Sequence, residues 1–250
     1  MPVRSETELI DEIERLRAEL ARREQEAADK ERQLERYAAD LRETFKQERV
    51  RSQELQRSYM ATVRALSNAV EARDAYTGKH AERVTAYGIE IARAVGLKGA
   101  DSPDIEFGFL LHDIGKVAIP DAILYKPGSL TGEERALMAQ HPVIGAQIVR
   151  GIDFLDEAVR VVRSHHERWD GRGYPDGLAG EEIPMAARVF SVADVLDALT
   201  TDRPYRPASP FEVARRMIET ASGTQFDPRV IEAFTSIPDR RLEQIGSSIR

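Results

Sequence analysis

The chain has 250 residues, a net charge of −7, 42% hydrophobic and 32% charged residues, enough for one large domain or a domain with an extension but too acidic for a general nucleic-acid binder. It has no cysteine, so disulfides and thiolate metal sites are excluded, and any metal must be held by nitrogen and oxygen. No apolar run approaches the ~18 residues of a membrane span. The polar, acidic start argues against a secretory signal, which makes a cytoplasmic location the default expectation.

Residues 3 to 77 contain neither Gly nor Pro and are rich in Glu, Arg, Ala, Leu and Gln, all good helix formers. Leu9, Ile13, Leu16, Leu20, Ala27, Leu34, Tyr37 and Leu41 fit heptad a and d positions, interrupted by Arg23 and Lys30. The phase shifts through Phe45 and resumes with Leu55, Tyr59, Val63 and Leu66, as a stutter would make it do. A long helix is predicted, ~100 Å at ~1.5 Å per residue. Its stripe needs a partner, so a parallel homodimeric coiled coil is expected. A solvated single helix or a frayed tail is the alternative.

A compact domain is predicted from near Arg57. Helices are expected over 81–95, 105–116, 133–138, 142–148, 155–165, 187–199, 211–221 and 230–234, with loops over 120–129 and 166–184. Thr131 with Glu134 reads as a capping box. Period-2 alternation is nearly absent, so the fold class is all-α.

The five histidines, His80, His112, His141, His165 and His166, fall within one stretch of the chain. His112-Asp113 follows an apolar run, as do His165-His166, and Asp194 is an acid embedded in an apolar helix. An isolated His-Asp is most often a hydrogen-bonded core pair. Several such groups together are better explained by one shared cation site of imidazoles and carboxylates, suited to Fe, Mn, Zn or Ni. Six or seven donors exceed the need of one ion, so two are expected, with Asp113 able to bridge them. A bridged pair activates a shared water to hydroxide near neutral pH and stabilises charge on a phosphoryl group. If the helix persists through Gly115, Lys116 shares a face with His112 and Asp113; a C-terminal helix cap is its other reading.

His112-Asp113-Ile114-Gly115-Lys116, followed by His165-His166-Glu167-Arg168-Trp169-Asp170-Gly171-Arg172-Gly173-Tyr174-Pro175, closely resembles the HD-GYP family of the HD phosphohydrolase superfamily. Thr77 to Val84, Gly180 to Pro184, Ala193-Asp194, Asp202 to Arg206 and Gln225 to Pro228 match as well, and the resemblance covers about residues 60 to 235. It implies an HD-type helical bundle that hydrolyses cyclic di-GMP to pGpG or GMP at a bi- or trinuclear iron or manganese centre. By position it makes His112, Asp113, His141, His165, His166 and Asp194 the core ligands, with His80 a further ligand or a group behind the ligands. A Glu that helps hold a third metal in trinuclear members is Tyr76 here, which favours two ions. Lys116 matches the phosphate-contacting lysine, and Tyr174, Arg203 and Arg206 match nucleotide-contacting positions. Arg offers charge with a planar face, and Tyr174 can stack or hydrogen-bond. Arg203 has a second reading, a surface pair with Asp202. Trp169 is expected to brace the loop.

The same resemblance implies a second role for the Gly173-Tyr174-Pro175 loop, as a docking surface for a diguanylate cyclase domain. The resulting division is a coiled-coil signalling helix over 1–57, the HD-GYP domain over 58–240 and a frayed tail over 241–250. The other functional readings are a non-catalytic nucleotide sensor signalling through the coiled coil and a phosphohydrolase of another nucleotide.

Overall fold

The computed structural model describes residues 6–73, 79–202 and 206–249. Among them the fold is all-α, with no strand and only isolated bridges such as Asp170 with Ala179. The chain divides into two units, Met1–Ser58 and Tyr59–Arg250. Helix α1 (Glu6–Glu71) supplies the first unit and, from Tyr59 on, the first turns of the second.

In the first unit the heptad residues are exposed, Leu16 at 53% and Leu34 at 67%. Around them run ion pairs such as Glu19 with Arg23 at 2.8 Å, worth a few tenths of a kcal/mol each at such exposure. Within this unit the apolar stripe lies on an exposed face of the helix.

The second unit is built from α2 (His80–Ala94), α3 (Pro103–Leu110), α4 (Asp121–Leu124), α5 (Gly132–Met138), α6 (His141–Val149), α7 (Asp156–Ser164), α8 (Met185–Thr200), α9 (Phe211–Thr220), α10 (Pro228–Ser236) and α11 (Asp239–Ser248). Helix α2 packs along α8, and α3 and α6 both pack on α7. One core joins Val84, Ile91, Phe109, Phe190, Leu196 and Phe234. A second joins Val63 and Val70 of α1 to Phe107, Leu110 and Leu111, with Val149 and Val162 behind them. The Thr131–Glu134 capping box is present at the start of α5, as the sequence predicts.

Three expectations are corrected. The segment read as loop over 120–129 contains the single turn α4, too short to show a helical period. The predicted helix over 105–116 ends at Leu110, and a separate 3-10 turn covers Ile114–Ala118. The cause is Gly115, which lies against the backbone of α6. A Cβ there would overlap the His141 carbonyl oxygen and come within 2.6 Å of the Gly145 nitrogen, an approach that a continuous helix with side chains would prevent. Because both neighbours are backbone and cannot turn aside, Gly115→Ala should destabilise the chain by at least the ~1–3 kcal/mol of an overpacked core. A urea melt would measure this, and an unchanged midpoint would refute it.

The third correction is the tail. Instead of fraying, residues 239–248 form α11, whose Leu242 is fully buried. Arg241 pairs with Glu90 of α2 at 2.8 Å. Only Leu242 and Ile245 mark its apolar face, too few to establish a period. Leu242→Ala should cost about 2–5 kcal/mol, measured by chemical denaturation; a loss under ~1 kcal/mol would mean that α11 adds little to the core.

Candidate metal centre

All five histidines gather at one place in the second unit, and the ends of helices put them there. His112 follows the last turn of α3, His141 begins α6 directly after α5, and His165 caps the end of α7. The last carbonyls of a helix have no partner within it. Here they meet imidazoles: His112 Nδ1 lies 2.9 Å from the Phe109 oxygen, His141 Nδ1 2.8 Å from that of Met138 and His165 Nδ1 2.8 Å from that of Val162. A carbonyl oxygen can only accept, so each Nδ1 carries the proton and each Nε2 is turned inward. This is how a second layer of hydrogen bonds orients metal-binding histidines.

The inward atoms face one another. His141 Nε2 is 3.2 Å from His165 Nε2 and 3.2 Å from Asp113 Oδ1. The other Asp113 oxygen is 3.0 Å from His112 Nε2 and 2.8 Å from the Lys116 ammonium. Lys116 thus reaches Asp113 although the helix predicted to align them is broken. His166 stacks beside His165 with ring centres 4.2 Å apart. On the far side, His80 Nε2 lies 3.4 Å from Asp194 Oδ1 of α8.

Two donor groups result, His141 with His165 and His166, and His80 with His112 and Asp194, each offering ligand atoms within 4.8 Å of one another. The residues fit metal ions on chemical grounds. His141 Nε2 faces two acceptors with its proton already committed to Nδ1, an arrangement that calls for a cation. Asp113 turns one oxygen to each group.

Burial, aided by the neighbouring imidazoles, holds His165 well below the ordinary histidine range and pushes His166 down to about 4, so both are neutral donors at neutral pH. For His112, burial works downward, but the charge and hydrogen bond of Asp113, with Asp194, carry its basicity above the usual value. For Asp113, burial works upward, and His112, Lys116 and His141 outweigh it, leaving the carboxyl well below its usual range.

These groups border a cavity of 330 Å³ whose walls include Lys116, His166, Tyr174 and Asp194. The Tyr174 ring lies 4.7 Å from His166, and burial pushes its phenol up to about 12. The 166–184 segment, predicted as loop, is irregular apart from a 3-10 turn at Gly180–Glu182. Buried Glu167 holds it by accepting the backbone N–H groups of Asp176, Gly177 and Leu178 at 2.7–3.1 Å. Gly173 is required where the loop doubles back, because a Cβ would come within 2.6 Å of the His166 oxygen.

The Trp169 backbone N–H donates to the Gln225 carbonyl and its backbone carbonyl accepts from the Gly180 N–H, while its ring lies 5.8 Å from the Arg188 guanidinium. Arg206 is turned away, its guanidinium bonded to the Ala198 carbonyl of α8, and it does not line the cavity. Arg203, Thr77, Gly78 and Tyr76 lie outside the described residues.

Sequence reasoning missed four contributors. Glu167 follows the His pair directly. Glu71, at the end of α1, accepts the Ala81 N–H at 2.5 Å beside His80, and burial raises its carboxyl above the usual value. Arg83 and Asp197 each lie three residues after a site residue on a helix, so each shares its face. The spacings His80 to Arg83 and Asp194 to Asp197 were the available signal.

Comparison with known proteins agrees with this geometry. Residues 64–230 match the family model described as HD domain. The chain is 41% identical over 186 residues to the cyclic di-GMP phosphodiesterase response regulator RpfG of Xanthomonas campestris pv. campestris, covering 74% of this chain and 49% of that one. It is 38% identical over 195 residues to 3'3'-cGAMP-specific phosphodiesterase 2 of Vibrio cholerae, covering 77% and 35%. The chain therefore spans half or less of these relatives' length. A crystal structure of a cyclic GMP-AMP specific phosphodiesterase from V. cholerae shares the fold, with a TM-score of 0.58, 21% identity and coverage of 76% of this chain and 50% of that one.

Proposed function

This chain belongs to the HD-domain family, in its HD-GYP group, and from that premise we propose that it is a metal-dependent phosphodiesterase that hydrolyses cyclic di-GMP to pGpG or GMP. The observation that carries the reading is the meeting of every histidine in the chain with Asp113 and Asp194 beside a cavity that also presents Lys116 and Tyr174.

His141, His165 and His166 would hold one ion, His80, His112 and Asp194 a second, and Asp113 would serve both. Oxygen and nitrogen donors without sulfur suit iron, manganese, zinc or nickel, and the resemblance to the HD-GYP family favours iron or manganese. Bound there, two such ions activate water and stabilise charge on a phosphoryl group.

The chain's own residues do the rest. Lys116, 2.8 Å from Asp113, places an ammonium where a phosphate beside the metals would meet it. Tyr174 offers a flat face next to His166 for a guanine. Glu167 and Gly173 fix the loop that carries Tyr174, so this face is set before substrate arrives. Cyclic di-GMP is a dianion with two purines, which such a combination of cations and ring suits. The identity to a 3'3'-cGAMP-specific relative makes the hybrid cyclic dinucleotide the second substrate to test.

The deciding experiment is product chromatography after incubating each dinucleotide with anaerobically purified chain loaded with Fe(II) or Mn(II). Turnover of cyclic di-GMP supports the reading, the product peak separates pGpG from GMP, and preference for the hybrid reassigns the substrate. No turnover of either, with nucleotide still bound, would mark the chain as a sensor.

The exposed heptad residues of the first unit support a homodimer through a coiled coil in that unit, with the HD-GYP domain beginning near residue 58. Leu16→Glu combined with Leu34→Glu should then convert a dimer to a monomer in light scattering. A wild-type chain that is already monomeric would refute the dimer.

A further inference from the structure

His80 differs from the other anchored histidines in one respect. His112, His141 and His165 each give the Nδ1 proton to a carbonyl at the end of a helix. His80 is the first residue of α2, and a helix begins with free N–H groups and no free carbonyls. Its Nδ1 partner must be a side chain, and that side chain is Asp197, 2.7 Å away on α8.

Asp197 is itself held. It is 2% exposed. Arg83, one turn along α2 from His80, contacts Asp197 Oδ1 through Nε at 2.6 Å and Oδ2 through Nη2 at 3.1 Å. The Thr201 hydroxyl adds a contact to Oδ1 at 3.4 Å. A carboxylate gripped by a guanidinium fork can only accept at its remaining lone pairs. The proton of neutral His80 therefore belongs on Nδ1, and the lone pair of Nε2 is presented toward Asp194, 3.4 Å away.

We propose that Asp197, locked by Arg83, is the positioning residue that fixes the tautomer and orientation of His80 and so sets how tightly the His80–His112–Asp194 group holds its ion. The proposal rests on the two-ion reading above. It assigns His80 as a ligand through Nε2, and it makes the pairing of α2 with α8 part of the metal site. A ligand orienter of this kind is worth about 10–100-fold in metal affinity.

Asp197→Asn tests it with little change in shape. The amide oxygen keeps the shorter bond to Arg83 Nε, so the amide NH2 takes the place of Oδ2, gives up the 3.1 Å contact with Arg83 Nη2 and faces His80 Nδ1. Nδ1 must then accept, and the proton moves to Nε2, where it blocks the ligand. The 250-residue chain, stripped of metal, is titrated with Mn(II) by calorimetry, with ions per chain counted after desalting. Wild type should take two ions; Asp197→Asn should keep one at wild-type affinity and bind the other about 10–100-fold more weakly. His80→Ala should lose the same step.

Two ions bound by Asp197→Asn with unchanged affinity would overturn the proposal. Nitrogen-15 imidazole shifts of the metal-free wild-type chain at pH 8 need no variant to fold: the Nδ1–H tautomer at His80 is expected, and the Nε2–H tautomer would overturn the assignment. No ion bound by wild type would instead sink the metal reading, while the tautomer measurement would still judge Asp197.

Discussion

Replacing Asp113 by alanine is expected to abolish hydrolysis of cyclic di-GMP, lowering kcat/KM by about 10⁴-fold, as removal of a member of an interdependent catalytic set does. Asp113 turns one oxygen to each donor group, toward His141 at 3.2 Å and His112 at 3.0 Å. Without it, His141, His165 and His166 have only imidazoles to hold a cation, and Asp194 alone remains to offset the charge of the ions. Metal content should fall together with turnover.

Asp113→Asn keeps the shape and removes only the charge, so it should unfold cooperatively like wild type yet bind metal poorly. If either variant kept two ions and turned over at the wild-type rate, the bridging role would be wrong.

Lys116→Met is expected to lower kcat by about 10²–10³-fold, the usual cost of losing one charged stabiliser of a transition state, with metal content unchanged. The ammonium lies 2.8 Å from Asp113 and lines the cavity, so it can serve a phosphate at the metal edge. The competing account is that Lys116 only neutralises Asp113 or caps the short 3-10 turn. That account predicts a shifted melting curve and altered metal binding with little change in kcat at saturating metal. Measuring kcat, metal content and the melt on the same preparation separates the two.

The helical class could be read from the sequence because periodicity is local: seventy-five residues without Gly or Pro and a heptad stripe need no tertiary information. The residues of the site were legible for a similar reason. Five histidines and two acids set against apolar runs are costly in a core unless they share a purpose, and the motif order from His112 to Pro175 carried the family.

The helix boundaries were less legible. The turn at residues 111–113 depends on Gly115 lying against α6, and α11 depends on a surface that receives Leu242. Arg206 was assigned to the nucleotide by its position in a motif, yet its guanidinium is bound to α8.

The sequence by itself determined what chemistry the chain can do, because that rests on the kind and number of donors: nitrogen and oxygen ligands, one lysine, one loop tyrosine. Only the tertiary structure decided how those donors are aimed. The proton of four of the five imidazoles is placed by a partner the sequence does not put next to it in an obvious way, a helix-end carbonyl for His112, His141 and His165 and Asp197, across from α2, for His80. The direction of a lone pair is fixed by what stands behind the ring, and that depends on which helix ends and faces meet once the chain has folded.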